Sequence, residues 1–209
     1  FGYWAFSGSG GLGTSGETIH VAGNWTNSDT FLAGGSTVTF DGGAGTHDIV
    51  SDGSAFYNVV FDDSAAGATF ELEDAFAADG DLTITGGTLD TKAGEDNAIQ
   101  VAGNWTNSDT FTANAGTVTF DAASGTVDIV SGGSAFYHVT FDDTGGNATF
   151  ELEDAFAADG DLTITGGTLD TKAAENNPVQ VGGSWSNGDT FTANASTVTL
   201  DATSGTVVV

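Results

Sequence analysis

The chain has 209 residues, and its 29 Asp and Glu face only two cationic side chains, Lys92 and Lys172, giving a formal net charge of −27. That balance excludes a nucleic-acid binder, which needs a basic footprint to neutralise phosphates, and it excludes electrostatic attachment to an anionic membrane. The absence of cysteine removes disulfides and thiolate chemistry, while 39% hydrophobic and 11% aromatic residues supply a core that a disordered acidic tail would lack.

The first twenty residues open with FGYWAF, too short and too poor in basic residues for a signal peptide. They form an atypical first coil or a docking segment. No later run approaches the roughly eighteen consecutive apolar residues of a spanning helix, so membrane insertion is not expected. From Val21 the apolar residues alternate over short stretches: Val38 and Phe40, then Tyr57, Val59 and Phe61, then Phe70 and Leu72, then Leu82 and Ile84. Period two marks half-buried strands, and GG, DG, GS and SG clusters between them favour turns. Residues 73–81 (EDAFAADGD) offer the sole plausible helical turn, read as a loop that tucks Phe76 inward.

Residues 21–100 and 101–180 align without a gap and are identical at 61 of 80 positions, and a third copy starts at Val181. The chain thus divides into residues 1–20, unit 1 (21–100), unit 2 (101–180) and a truncated unit 3 (181–209), with 21–209 expected as one continuous solenoid. Since unit 3 breaks off after 29 residues, ending in Val207, Val208 and Val209, further copies or end-to-end self-association are expected. Strand centres fall near residues 38, 59, 83, 100, 118, 139, 163 and 180, which fits four coils of about 20 residues per unit in a β-solenoid. An 80-residue unit with about seven short strands also fits tandem β-sandwich domains; the close strand spacing and the lack of a linker favour the solenoid.

The elements GNWTNSDTF, STVTFDGG and FYNVVFDD, with GNWTNSDTF, GTVTFDAA and FYHVTFDD in unit 2, resemble repeats of very large secreted bacterial and archaeal surface proteins, adhesin or haemagglutinin-like. The resemblance covers nearly the whole chain from Val21. It implies an all-β, right-handed parallel β-helix carried outside the cell as a stalk, adhesin or surface-layer component. A rigid shaft or filament subunit at the cell surface is the functional expectation, with a carbohydrate-binding module and a polysaccharide-active β-helix enzyme as alternatives.

Acidic residues recur in register and are hard oxygen ligands of the kind calcium needs. The sites expected to hold it are Asp62, Asp63, Glu71, Glu73 and Asp74, with Asp142, Asp143, Glu151, Glu153 and Asp154 in unit 2. The competing reading is a solvated acidic coat, and no cofactor is required by either. Trp25, Trp105 and Trp185 could stack sugars, which would make surface glycans partners, but their inward phase favours a core role. Of the adjacent Phe56–Tyr57 and Phe136–Tyr137 pairs, tyrosine is expected inward. His20, His47 and His138 are replaced by Gln, Val and Asn in other copies, which argues against a periodic zinc site.

No catalytic residue is expected. Carboxylates are abundant, yet everything recurs whereas an active site is generally unique, and there is no arginine to hold an anionic sugar. The outward threonines form an array too sparse to match an ordered crystal surface. Asn24, Asn104, Asn147 and Asn194 each begin an Asn-x-Ser/Thr acceptor for glycosylation.

Overall fold

A computed structural model describes residues 4–6, 12–13, 16–63, 67–143 and 145–202. Every strand pair in it is parallel. Parallel pairing throughout corrects the sandwich alternative, because sandwiches are built from antiparallel sheets. The chain winds as a right-handed parallel β-solenoid, each coil contributing one segment to each of three sides.

The first side carries Trp4–Phe6, Trp25–Asn27, Gly45–Val50, Ala68–Leu72, Thr88–Asp90 and Thr110–Thr112. It resumes with Phe156–Ala158, Val179–Val181 and Val198–Leu200, which the bridge between Phe136 and Ala158 joins to the preceding coil. The second side starts with Leu12–Gly13 and Phe31–Leu32 and continues, through the bridge between Phe56 and Ala78, along Phe76–Ala78, Ile99–Val101, Thr117–Phe120, His138–Phe141, Leu162–Ile164 and Trp185–Asn187. The third side is an unbroken nine-stranded sheet from Thr18–Val21 to Thr190–Thr192. Its ladder crosses from unit 1 to unit 2 where Leu82–Ile84 pairs with Trp105–Asn107.

Alternation decides what each strand buries. On the third side one inward column runs Ile19, Val38, Val59, Leu82, Trp105, Ile129 and Leu152, one residue per coil. Aromatic rings fill the interior: Phe40 stacks on Phe61 at 5.3 Å, and Trp25 packs edge-on to Phe31 at 5.1 Å. Unit 2 repeats this with Phe120 on Phe141 and Trp105 against Phe111. Edge and offset ring contacts add to the burial of large apolar area.

Two further expectations are corrected. Residues 76–78 form a strand rather than part of a loop, although Phe76 is buried as expected. Phe56 is fully buried and Tyr57 is 39% exposed, so the phenylalanine of that pair points inward. Phe56 sits within ring-contact distance of Trp25, Phe31, Phe40 and Phe76, an apolar nest with no place for a hydroxyl.

The coil count also differs. Paired residues on neighbouring coils are separated by 19 (Ile19 and Val38), 21 (Val38 and Val59), 23 (Val59 and Leu82) or 24 residues (Trp25 and Ile49). A unit holds eleven wall segments, which three sides divide into three and two-thirds coils of about 22 residues. Each sequence copy is therefore turned by one side relative to the last. Trp25–Asn27 lies on the first side, Trp105–Asn107 on the third and Trp185–Asn187 on the second. Gly45–Val50 and its copy Gly125–Val130 shift in the same way, from the first side to the third. The FGYWAF docking segment lies outside the described residues except for the backbone of Trp4–Phe6, and Val207 to Val209 lie outside them entirely.

Candidate functional site

The expected calcium ligands separate into three groups with different roles. Asp63 is nearly buried, and its carboxylate accepts the Ala68 amide at 2.6 Å; Asp143 does the same for Ala148 and also accepts the Gly145 amide at 2.7 Å. The Ala148 amide, with further backbone donors, holds the Asp143 carboxyl below its ordinary range, because hydrogen bonds to the charged form favour it. Asp74 accepts the Ser51 amide at 2.9 Å and the Asp52 amide at 2.6 Å, and Asp154 accepts those of Ser131 and Gly132. These four residues staple turns. Asp62 and Asp142 are half-buried beside them, and Asp142 accepts the Thr165 hydroxyl at 3.0 Å.

Glu71 and Glu73 do come together, joined by Asp48, and Glu151 and Glu153 by Asp128. Within each trio one oxygen per residue lies within 4.8 Å of the others, a spacing that can hold a metal ion. The strands explain the meeting. Asp48 pairs with Glu71 and Glu71 with Asp90, so three carboxylates stand in one outward column on successive coils of the first side. Asp128, Glu151 and Asp170 form the same column on the third side. Asp48 is not recognisable as a partner from the sequence because it is 23 residues before Glu71, one coil away, and only the ladder register makes them neighbours.

A cation is already present at each cluster. Lys92 is ion-paired to Glu73 and, at 3.1 Å, to Glu95. Lys172 is paired to Glu153, to Glu175 at 3.5 Å and to Glu151 at 3.6 Å. These bonds push both lysines above their ordinary pKa, the hydrogen bond to Glu73 or Glu153 being the main cause. Glu71 is pushed up, first by desolvation and then by its hydrogen bond with Glu73 and that neighbour's charge. Glu151 is raised for the same reasons. The trio is thus a crowded anionic site with an ammonium as its counter-ion.

Trp25 and Trp105 are fully buried and Trp185 is 7% exposed, so none presents a face to a sugar. Asn24 exchanges hydrogen bonds with Asp48, donating at 3.1 Å and accepting its amide, and Asn104 accepts the Asp128 amide at 2.8 Å. Asn194 donates to Asp170 at 2.6 Å. Asn147 is exposed, and its side-chain amide donates to the Gly145 carbonyl within its own loop.

Two of the three histidines, His20 and His138, stand in for amides. His20 bonds Asp41 through Nδ1 at 2.8 Å where Gln180 bonds Asp201 at 2.7 Å and Gln100 bonds Asp121. His138 Nδ1 accepts the Asp161 amide at 2.9 Å as Asn58 accepts that of Asp81. His47 bonds the Gly43 carbonyl, and its ring occupies the space a Cβ on Gly42 would need; unit 2 has Ala122 with the smaller Val127.

Further polar residues, not singled out by the sequence, sit at the coil corners. Asn27 is buried and donates to the Ser51 carbonyl and Ser54 hydroxyl, both at 2.9 Å, while accepting the Asp29 amide. Asn107 repeats this with Ser131, Ser134 and Asp109. Their recurrence in NSD and in SxGSAF was the available signal. The threonine array is also denser than expected. Thr46, Thr69, Thr88 and Thr110 stand in one column over four consecutive coils, as do Thr126, Thr149, Thr168 and Thr190.

No protein-family model, curated protein or solved structure matches the chain. Among the described residues no helix is long and apolar enough to cross a membrane.

Proposed function

We propose that the chain is the rigid shaft of an extracellular surface protein, an adhesin stalk or filament subunit, with a mechanical rather than a catalytic role. The observation that carries this reading is the uninterrupted nine-stranded ladder of the third side, which runs through the junction of units 1 and 2 without a hinge. Pulling along the axis loads many coils in series, each held by three sides of parallel ladder and a shared aromatic interior. The polar groups suit a load-bearing rod as well, since Asp63, Asp74, Asn27 and their copies tie turns to the wall and the surface charge keeps rods apart in solution. Buried tryptophans remove the side chains best suited to stacking a sugar, so the carbohydrate-binding alternative loses its strongest carrier.

Calcium is the ion we assign to the Asp48–Glu71–Glu73 and Asp128–Glu151–Glu153 trios, where it would replace the lysine as counter-ion. Melting with and without millimolar calcium tests this. A raised melting point that Glu73→Gln abolishes supports it, and an unchanged one counts against it. Location is tested by treating intact producing cells with an external protease. Loss of the chain before lysis is expected, and protection until lysis would overturn the surface assignment.

A further inference from the structure

Both units carry the same surface cleft, away from the acidic trios. In unit 1 it is a trough of about 250 Å³ over the outward face of Phe76–Ala78 and Ile99–Val101, with Ala77 in its floor, Ser54 on one wall and Gln100 and Thr119 on the other. In unit 2 the equivalent residues Ala157, Ser134, Gln180 and Thr199 line a trough of about 220 Å³. The floor is apolar because Ala75, Ala77 and Ala98 present only methyl groups, and unit 2 keeps this character with Pro178 in place of the last. A cleft of about 230 Å³ lined by Asp159, Gly182 and Asp201 adjoins the trough of unit 2, and Gln180 belongs to both. The apolar trough therefore ends at a pair of carboxylates. Unit 1 has Asp79, Ala102 and Asp121 at the same positions. Gln180 donates to Asp201 at 2.7 Å, and Gln100 donates to Asp121, so the boundary between the apolar and acidic halves is built alike in the two units.

We propose that each cleft receives a lysine side chain of a partner polypeptide. The trough has room for a side chain rather than for a whole ligand. Asp79 lies two residues beyond Ala77, about 6.6 Å along the strand, a distance that a four-carbon stem spans while its methylenes cover the alanine floor. Phe76–Ala78 and Thr117–Phe120 pair with opposite edges of Ile99–Val101, so Asp79 and Asp121 stand two coils apart, about 10 Å between backbones, with only the small Ala102 between them. Two carboxylates from different coils suit a compact ammonium with three donors better than the planar fork of arginine, which matches a single carboxylate. The donor is a polypeptide other than this chain, which has no arginine and whose two lysines are held by Glu73 and Glu153. The negative charge of the rod draws a basic partner in, and the clefts select where its lysines sit.

Amide chemical-shift mapping at about 0.15 M salt, where exposed charges are screened beyond about 8 Å, tests this with a capped Gly-Lys-Gly peptide and its norleucine analogue. The lysine peptide is expected to shift the amides of Ala77, Gln100, Ala157 and Gln180, and the norleucine peptide, which keeps the stem without the charge, is expected to leave them in place. Ala77→Leu fills the trough of unit 1 and is expected to remove the shift at Gln100 while those at Ala157 and Gln180 persist, so unit 2 reports that the rod is intact. Asp79→Asn with Asp121→Asn, which leaves an acceptor for Gln100, is expected to weaken the unit 1 response roughly fivefold, the scale of two exposed ion pairs. Equal shifts from the norleucine peptide, a stronger response to Gly-Arg-Gly, shifts spread over the acidic surface without focus on the clefts, or a unit 1 response indifferent to Ala77→Leu or to the paired Asn variant would each overturn the proposal.

Discussion

At the residue scale the most informative positions are those where the copies differ. Gln and His exchange at 20, 100 and 180, and Asn and His at 58 and 138, while the hydrogen bond is kept. What repeats is a donor or acceptor at a fixed place, and an imidazole nitrogen can supply either. His138→Asn is therefore expected to leave the denaturation midpoint within experimental error of the parent. Asn27→Ala is expected to behave differently, because it strips a buried corner of three hydrogen bonds and leaves the Ser51 carbonyl with the Ser54 amide as its remaining donor; a loss of about 1–3 kcal/mol in urea titration is expected.

The carboxylates give the pH dependence at the same scale. Glu71 and Glu151 have folded-state values raised above the ordinary one, so the folded protein holds their protons more tightly than the unfolded chain. Their contribution is fully present below the unfolded pKa and is lost as pH rises through the folded one. Asp143 is lowered, so its contribution is present at higher pH and is lost on acidification through its folded value. The melting point is expected to rise as pH falls from neutrality toward the ordinary glutamate range, then to drop in stronger acid. Glu71→Gln with Glu151→Gln should flatten the first limb and leave the second; an unaltered first limb would contradict the assignment.

At the scale of the element, the sequence carried strand identity and position well. Strand centres near 38, 59, 83, 100, 118, 139, 163 and 180 all fall within observed strands, because period-two burial is a local property. Register was not legible. Coil lengths from 19 to 24 residues arise from loops such as residues 91–97, where Lys92 adopts φ of 66° and Asn97 reaches back to the Leu72 carbonyl at 2.8 Å. A fixed 20-residue step hides both the Asp48–Glu71–Asp90 column and the threonine columns. The acidic trio was hidden for the same reason: Glu71 and Glu73 lie close together in the chain, but Asp48, which joins them, comes from a different coil. Asp63 and Asp74 accept backbone amides, a role that composition does not distinguish from binding an ion.

The aromatic layer supplies an element-scale test. Phe56 lies 5.3 Å from Trp25 and 4.9 Å from Phe76, and Phe136 lies 5.2 Å from Trp105 and 5.0 Å from Phe156. Environments this similar on different sides should respond alike. Phe56→Ala and Phe136→Ala are each expected to destabilise the unit that contains them by about 3–5 kcal/mol, through lost burial plus the cavity left behind. Local hydrogen exchange should map each loss to its own unit, because coils contact only their neighbours.

At the scale of the whole molecule, charge becomes a linear density. The −27 is distributed by a repeat that winds around the rod, so no side is spared and coils only about 4.8 Å apart carry like charges in register. Lys92 and Lys172 offset this only at their own clusters, leaving the remainder to mobile ions. Screening shortens from about 30 Å at 0.01 M salt to about 10 Å at 0.1 M, a change that spans several coils of the rod. Raising salt over that range with a monovalent electrolyte is therefore expected to raise the melting point, with most of the gain below about 0.1 M. Lys92→Gln with Lys172→Gln should steepen the salt dependence, since two internal counter-ions are removed. A melting point insensitive to salt would mean that the repulsion persists equally in the unfolded chain, and charge density would then have no part in the stability of the rod.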